Sequence, residues 1–173
     1  MDAQKELDVS HLEKYLADRK FGTQTAYVNT VLHKMLENIE EIASFLCDIL
    51  KNGDLIIMKG NLGFGKTTFV RIFAKLLKSD DIVSSPSFTL INEYDIILKS
   101  EETILRHVDL YRLSSEDELN NIGFKDKIKE RGITMIEWGD KFESYFDKPH
   151  YELEIEMLEN EENSRLYRIN LIQ

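Results

Sequence analysis

A short glycine-rich segment in the first half of the chain contains the residues best suited to chemistry. Residues 60–67 read Gly-Asn-Leu-Gly-Phe-Gly-Lys-Thr, so four residues separate Gly60 from the Gly-Lys-Thr triplet at 65–67. With this spacing, successive backbone N–H groups can point at phosphate oxygens, and glycine permits the backbone path that this requires. The segment therefore predicts a phosphate-binding loop.

Two side chains of this loop have distinct expected tasks. Lys66 would neutralise the β- and γ-phosphates of a nucleotide, and the Thr67 hydroxyl would ligate Mg²⁺. ATPases, GTPases and kinases share such a loop, so it specifies neither the base nor the reaction. The chain contains no Asn-Lys-x-Asp or Thr-Lys-x-Asp segment, and no Asp-x-x-Gly segment follows the loop. These absences disfavour a GTPase.

Two acidic residues occur where a nucleotide site needs carboxylates. Asp109 follows the run 105–108, and Glu137 follows the apolar run 133–136. Both lie at or near the carboxyl end of a predicted strand, and such ends border the ligand crevice of an open α/β sheet. Because the chain has 32 acidic residues, a solvated or salt-bridged carboxylate is the alternative for either one alone.

Four segments carry a family resemblance. In chain order they are 60–71 (GNLGFGKTTFVR), 85–94 (SPSFTLINEY), 107–112 (HVDLYR) and 136–138 (IEW). Together they resemble the TsaE family, the small ATPases of bacterial tRNA threonylcarbamoyladenosine synthesis. Members of that family work with the TsaD and TsaB subunits on the adenosine beside the anticodon. The resemblance covers roughly residues 28–173.

This resemblance implies ATP and Mg²⁺ as cofactors and assigns roles to particular residues. Thr67 and Glu137 would ligate Mg²⁺, with Glu137 in place of the usual Walker B aspartate, and Asp109 would assist hydrolysis. The expected catalytic residues are Asp109, Lys66 and Glu137. The expected nucleotide contacts are Gly60, Gly63, Phe64, Gly65, Lys66, Thr67, Thr68, Trp138 and Arg165.

The resemblance extends to residues whose roles have alternatives. Ser85, Ser87 and Thr89 would lie in a switch-like loop that senses the γ-phosphate or lines a partner surface, or else in a plain turn before a strand. Trp138 would move with the nucleotide state or anchor the core. Arg165 would lie near the nucleotide or be an exposed hairpin charge.

The sequence departs from the family pattern at three positions. Asn61 stands where the family usually has Asp, Phe64 where it has Ala, and Ser87 where it has Thr. A side chain at position 64 can point outward while its N–H binds phosphate. We therefore expect nucleotide binding to survive the Phe64 change, whereas partner contact or turnover could differ.

The elements that would position these residues follow from hydrophobic periodicity. Residues 55–58 and 133–136 are continuous apolar runs typical of buried parallel strands, and 66–77 continues the loop as a helix. Apolar residues recur with a period near 3.6 up to residue 50, which predicts a helix over at least 37–50. Residues 27–36 fit either a strand or a helix.

Further strands and a short helix complete the predicted domain. Residues 88–98 and 103–110 predict a hairpin, and a capping-box pattern at 115–118 predicts a short helix. Apolar residues alternate with polar ones on both sides of 159–164, which predicts a closing antiparallel pair. The predicted fold class is α/β, a P-loop NTPase with a mostly parallel central sheet, flanking helices and antiparallel hairpin strands.

Composition limits the kind of protein and its partners. The chain has 173 residues, and we expect an N-terminal extension at 1–26, helical or flexible, before an ATPase domain at 27–173. Its formal charge of −10 opposes a large nucleic-acid footprint, so any tRNA would be held through other subunits. No apolar run is long enough for a membrane helix, and a cytoplasmic protein is expected. Cys47 is predicted to be a small buried hydrophobe.

The favoured function is an ATPase subunit of the tRNA-modifying complex, slow when alone and activated by TsaD and TsaB. One alternative is a small nucleoside or nucleotide kinase, although the sequence contains no Arg-rich lid. Another is a nucleotide-gated binding module with negligible turnover.

Overall fold

A computed structural model of the protein describes residues 34–35, 39–146, 149–157 and 165–172. In chain order the elements are β1 (Lys34–Met35), α1 (Ile39–Ile49), β2 (Leu55–Lys59), α2 (Lys66–Leu76), β3 (Ile91–Leu98), β4 (Glu101–Asp109), α3 (Glu116–Asn121), α4 (Phe124–Lys127), β5 (Ile133–Glu137), a 3-10 segment (Gly139–Tyr145), β6 (His150–Met157) and β7 (Arg165–Ile172). The predicted extension at 1–26, the ambiguous segment 27–36 apart from β1, and the turn around 159–164 lie outside the described residues.

The strands of the described part of the chain form one seven-stranded sheet in the order β1-β7-β6-β2-β5-β4-β3. Strand β2 pairs in parallel with β5 and β6, and β4 pairs in parallel with β5. Antiparallel strands β3 and β7 extend the two sides, and β1 pairs antiparallel with β7. The predicted α/β architecture, with a parallel centre and antiparallel hairpins, is confirmed.

The central strands are buried on both faces, which explains their continuous apolar sequences. In β2, Ile56 and Met58 pack in the core on the side of α1 and α2, whereas Ile57 packs on the opposite side. All three side chains are fully buried. Both faces of β2 carry apolar side chains, and burying them requires helices on both faces of the sheet.

Two hydrophobic cores occupy the two faces. The core beneath α1 and α2 is centred on Leu46, Phe69, Val70, Phe73 and Leu153. The core on the other face gathers α3, α4 and the 3-10 segment around Leu119, Phe124, Ile136, Phe142 and Phe146. Each fully buried side chain of this size contributes roughly 1.5–3 kcal/mol relative to exposure.

Helix α1 presents one apolar side to the sheet, and its described range, Ile39–Ile49, lies within the predicted 37–50. Cys47, on this helix, is partly buried and packs against the same core. Its burial, reinforced by the Asp48 carboxylate, raises the pKa of the thiol to about 12. The thiol is therefore protonated at neutral pH.

The β3–β4 hairpin was predicted correctly as an element, but its turn is tighter. The turn consists of Lys99 and Ser100, with φ angles of 50° and 70°, rather than the four polar residues 99–102. At its other end β3 begins at Ile91 instead of residue 88, because the Leu90 N–H donates to the Pro86 carbonyl at 2.7 Å and closes a turn first.

The predicted capping pattern does begin a helix, α3. The Glu118 carboxylate accepts hydrogen bonds from the backbone N–H groups of Ser114 at 2.7 Å and Ser115 at 3.2 Å. These bonds lower the pKa of Glu118. Among the described residues, no helix is both long enough and apolar enough to cross a membrane.

Candidate functional site

The glycine-rich loop joins the carboxyl end of β2 to the start of α2. Gly65 is the N-cap residue of α2 and has a left-handed φ of 103°, which glycine adopts without steric cost. The first hydrogen bond of the helix runs from the Phe69 N–H to the Gly65 carbonyl at 2.8 Å. The N–H groups of residues 66–68 precede it and therefore have no intrahelical partner. The loop therefore ends in a helix N-terminus suited to an anion.

The Lys66 side chain folds back over the loop. Its Nζ donates to the carbonyls of Gly60 at 2.5 Å and Asn61 at 3.1 Å, and it lies 4.2 Å from the centre of the Trp138 ring. Burial lowers the pKa of Lys66, while the nearby carboxylates, Glu137 foremost, oppose that shift. The ammonium group is thus held at the centre of the loop by weak acceptors that a phosphate could replace.

A hydroxyl, a carboxylate and an imidazole meet beside the loop. The Thr67 hydroxyl donates to Glu137 Oε1 at 2.7 Å, and His107 Nε2 lies 2.8 Å from the same oxygen. Glu137 is the last residue of β5 and is 5% exposed, and His107, on β4, is fully buried. The start of α2 is therefore connected to the ends of two neighbouring strands.

Asp109 lies opposite Glu137 in the parallel register of β4 and β5. Its Oδ2 accepts a hydrogen bond from the Ser87 hydroxyl at 2.8 Å, and the Ser85 hydroxyl lies 3.4 Å from the same oxygen. Its Oδ1 accepts the Tyr111 N–H at 3.0 Å. The carboxylate thereby links the end of β4 to the segment that precedes β3.

Of the three polar residues predicted for the switch-like loop, only the two serines contact the site. Because the Ser87 hydroxyl donates to Asp109, the 2.7 Å bond between the two serines has Ser85 as its donor. Thr89 faces away, and its hydroxyl donates to the Asn92 side chain at 2.7 Å. The path of the turn at 86–90 produces this separation.

The remaining predicted contacts lie around the loop. Trp138, with a left-handed φ of 62°, packs its ring 5.2 Å from that of Tyr111. Arg165, at the start of β7, donates through Nε to the Phe64 carbonyl at 3.3 Å. The Phe64 N–H donates to the Asn61 carbonyl at 3.2 Å, so a phosphate would have to replace that bond.

The other two loop positions of the predicted set, Gly63 and Thr68, are exposed beside the loop and the first turn of α2. Phe64 is partly buried and packs against the core beneath α2. Its side chain therefore does not project into solvent, as an outward-pointing residue would. Phe64 instead fixes the middle of the loop to the body of the domain.

The oxygen atoms of Thr67 and Glu137 form the group best suited to a metal ion. Across the described ranges, no cluster of three or more His, Cys, Asp or Glu side chains could hold one. Mg²⁺ commonly uses one or two protein oxygens and completes its octahedron with water and substrate phosphates. The hard hydroxyl and carboxylate pair fits that mode of binding.

Sequence reasoning assigned no role to two residues that organise the site. His107 contacts Glu137, and Lys141 donates to the carbonyls of Tyr111 at 2.7 Å and Leu113 at 2.5 Å. Strand alternation gave a usable signal for His107, because it lies two residues before Asp109 and so on the same face of β4. No comparable signal marks Lys141.

Comparisons with known proteins identify the family of this chain. The family model described as "Threonylcarbamoyl adenosine biosynthesis protein TsaE" matches residues 33–167. A tRNA threonylcarbamoyladenosine biosynthesis protein TsaE from Aquifex aeolicus (strain VF5) is 39% identical over 136 residues, covering 76% of this chain and 90% of that protein. Its counterpart from Bacillus subtilis (strain 168) is 34% identical over 127 residues, covering 73% and 76%.

A solved structure has a similar fold. The crystal structure of Bacillus subtilis YdiB matches with a TM-score of 0.66 and 26% identity, and the match covers 86% of this chain and 90% of that one. The loop between β2 and α2, flanked by parallel strands, is consistent with a P-loop NTPase fold. The chain belongs to the TsaE family of threonylcarbamoyladenosine biosynthesis proteins.

Proposed function

We propose that this protein binds ATP with Mg²⁺ and hydrolyses the ATP as a subunit of the tRNA threonylcarbamoyladenosine system, acting with TsaD and TsaB. The observation that carries the proposal is the 2.7 Å hydrogen bond between the Thr67 hydroxyl, at the end of the glycine-rich loop, and the Glu137 carboxylate. A strand-end carboxylate beside the loop hydroxyl is the arrangement that phosphoryl-transfer sites use.

In this proposal the loop and helix α2 bind the triphosphate. The unpaired N–H groups at the start of α2 donate to phosphate oxygens, and the helix dipole favours their negative charge. Lys66 exchanges the carbonyls of Gly60 and Asn61 for the β- and γ-phosphates. A charged acceptor binds an ammonium more strongly than two carbonyls do, so the exchange is favourable.

Thr67 and Glu137 would hold Mg²⁺ between the loop and β5. When bound, the ion neutralises charge on the phosphates and polarises the phosphoryl group. The residues contribute a prearranged pair of oxygen ligands, because Glu137 is already 2.7 Å from the Thr67 hydroxyl. Coordination would replace that hydrogen bond without moving either strand or helix.

Asp109 is proposed to position the water that attacks the γ-phosphate. It is 6% exposed and neighbours Glu137 in the β4–β5 register, so a group bound between them would meet both carboxylates. Ser87 and Ser85 now occupy Oδ2 of Asp109. Nucleotide binding would release these hydroxyls toward the γ-phosphate, which couples the segment before β3 to the nucleotide state.

The partner assignment comes from the family to which the chain belongs. A formal charge of −10 makes extensive direct contact with tRNA unfavourable, so TsaD and TsaB would hold the tRNA. Hydrolysis is expected to be slow for the isolated chain and faster in the complex. A partner-activated ATPase limits turnover to the assembled state.

The test uses the full chain with purified TsaD and TsaB. Co-precipitation is measured with and without ATP and Mg²⁺, and phosphate release is followed for this protein alone and with both partners. The proposal predicts nucleotide-dependent association and faster phosphate release in the complex. Absence of both association and stimulation would contradict it.

The same assay distinguishes the two alternatives. A phosphorylated product from a screen of nucleoside and nucleotide acceptors would indicate a kinase. ATP binding without phosphate release, alone or with the partners, would indicate a nucleotide-gated binding module. A Lys66→Ala variant is the control for both, because loss of its ammonium group should remove nucleotide binding itself.

A further inference from the structure

His107 is a buried histidine to which the proposed chemistry gives no task. Its side chain is fully buried on β4, and its Nε2 lies 2.8 Å from Glu137 Oε1. Its other ring nitrogen, Nδ1, is buried without a hydrogen-bond partner. An unpartnered buried ring nitrogen costs free energy, and the hydrogen bond that this ring makes is to Glu137.

We propose that His107 is a positioning residue that fixes the Glu137 carboxylate for Mg²⁺-nucleotide binding. The inference rests on the function proposed above. Glu137 Oε1 accepts hydrogen bonds from two sides, from the Thr67 hydroxyl at 2.7 Å and from His107 at 2.8 Å. A carboxylate held by two donors cannot rotate freely about its last torsion, so its oxygens keep one orientation toward the loop.

The direction of the hydrogen bond follows from the acceptor. An ionised carboxylate only accepts, so Nε2 of His107 must carry the proton. Ligating carboxylates in metal sites are commonly held by such an outer partner, and its loss typically reduces metal affinity by roughly 10–100-fold. The buried, single-partner imidazole of His107 matches that arrangement.

The sheet explains why this histidine can set the orientation so firmly. His107 pairs with Met135 in the parallel β4–β5 register, two residues before the Asp109–Glu137 pair. Both strands are central and buried, so the Cα atoms of His107 and Glu137 have little freedom to shift. The imidazole is therefore held in place by the sheet, and it in turn holds the Glu137 carboxylate at the carboxyl end of β5.

A role in stability alone makes different predictions. A merely structural His107 would affect unfolding but would affect nucleotide binding equally with and without the metal. A positioning role affects only the Mg²⁺-dependent part, because the loop and Lys66 bind phosphate without Glu137. The two roles are separated by measuring affinity in both conditions.

The experiment measures binding of a non-hydrolysable ATP analogue to the full chain, once with Mg²⁺ and once with EDTA. His107→Leu should lower the affinity with Mg²⁺ by roughly 10–100-fold and leave that with EDTA unchanged. His107→Gln should keep most of the wild-type affinity with Mg²⁺, because the glutamine amide N–H can replace the Nε2 donor. His150→Leu, which removes another buried histidine on β6, should change neither affinity.

A second measurement uses the unmodified protein without nucleotide. The ¹⁵N chemical shifts of the His107 ring should show the proton on Nε2, and Glu137→Ala should alter them. A proton on Nδ1 with Nε2 bare, or a His107→Leu variant that binds Mg²⁺-nucleotide as tightly as the wild type, would overturn the inference. Those outcomes leave the proposed function intact. If the wild type itself binds no Mg²⁺-nucleotide, both the proposed function and the inference on His107 fail.

Discussion

Glu137 and Asp109 are adjacent carboxylates with different surroundings. They pair in the β4–β5 register, yet Glu137 is bonded to Thr67 of the loop, whereas Asp109 is bonded to Ser87 of the segment before β3. In the proposed function, Glu137 therefore lies beside the phosphate-binding loop, and Asp109 lies beside the segment before β3, where the attacking water would be positioned. We expect separate effects when each is neutralised.

Neutralising Asp109 should slow hydrolysis without weakening binding. We expect Asp109→Asn to lower the rate of phosphate release by roughly 100-fold, since positioned proton-accepting groups contribute about 10²–10⁴-fold. Glu137→Gln should instead weaken Mg²⁺-nucleotide binding. Both are measured by calorimetric titration and single-turnover phosphate release, with Asp95→Asn on β3 as the control. Unchanged hydrolysis by Asp109→Asn would contradict its assigned role.

The sequence could predict that these acids meet, but not their partners. Carboxyl ends of parallel strands share one edge of the sheet, so the positions of Asp109 and Glu137 followed from strand assignment alone. That Ser87 and not Thr89 contacts Asp109 depends on the turn at 86–90, where Leu90 has a φ of 67°. Local side-chain propensities do not specify such a turn.

At the scale of elements, the glycine-rich loop begins close to the backbone of β6. Gly60 has a φ of 145°, and a Cβ added to it would lie 2.6 Å from the Ile155 carbonyl oxygen. The loop must therefore approach β6 without a side chain at this position.

Gly60→Ala should displace the loop and destabilise the fold. We expect a loss of about 2–4 kcal/mol in the free energy of unfolding, combining backbone strain of roughly 1–3 kcal/mol with the clash against Ile155. Nucleotide affinity should fall as well. Gly53→Ala is the matched control, since its φ is 90° and an added Cβ meets no atom within 4 Å. Equal losses in urea unfolding would show that the Ile155 contact has no effect.

The β3–β4 turn offers a gain in stability. Lys99 and Ser100 both have positive φ, a conformation that two-residue hairpin turns require and that Asn-Gly adopts far more readily. A Lys99→Asn, Ser100→Gly double variant should raise the free energy of unfolding by about 1 kcal/mol. Thermal unfolding measures this gain. The control variant Lys99→Ala, Ser100→Ala should show no gain in the free energy of unfolding, and a gain in that control would refute the backbone explanation.

At the scale of the whole molecule, element types were predictable and their order in the sheet was not. Periodicity located β2 and β5, and chain order suggested the hairpin partners. The parallel pairings of β2 with β5 and β6 join segments about 80 to 100 residues apart in the chain, as in Ile57 with Ile136 and with Glu152. Such pairings are set by packing of both sheet faces, which no local pattern encodes.

One buried cation joins the hairpin edge of the sheet to the rest of the molecule. Arg106, on β4, is only 2% exposed. Its Nε donates to Glu93 at 2.9 Å, and its two terminal nitrogens donate to the backbone carbonyls of Glu130 at 3.2 Å and Arg131 at 3.0 Å. One guanidinium group therefore bonds both to β3 and to the segment that leads into β5.

Removing that guanidinium should weaken the whole fold. We expect Arg106→Leu to lower the free energy of unfolding by about 3–5 kcal/mol, because it leaves two backbone carbonyls without their buried donor. It also removes one of the two cations that pair with Glu93 and Glu130, the other being Lys127. Arg131→Leu is the control: its pair with Glu101 is 62% and 63% exposed, and such pairs contribute at most about 1 kcal/mol. Urea unfolding followed by Trp138 fluorescence measures both. A similar small loss in the two variants would mean that the Arg106 bonds do not couple the hairpin to the domain.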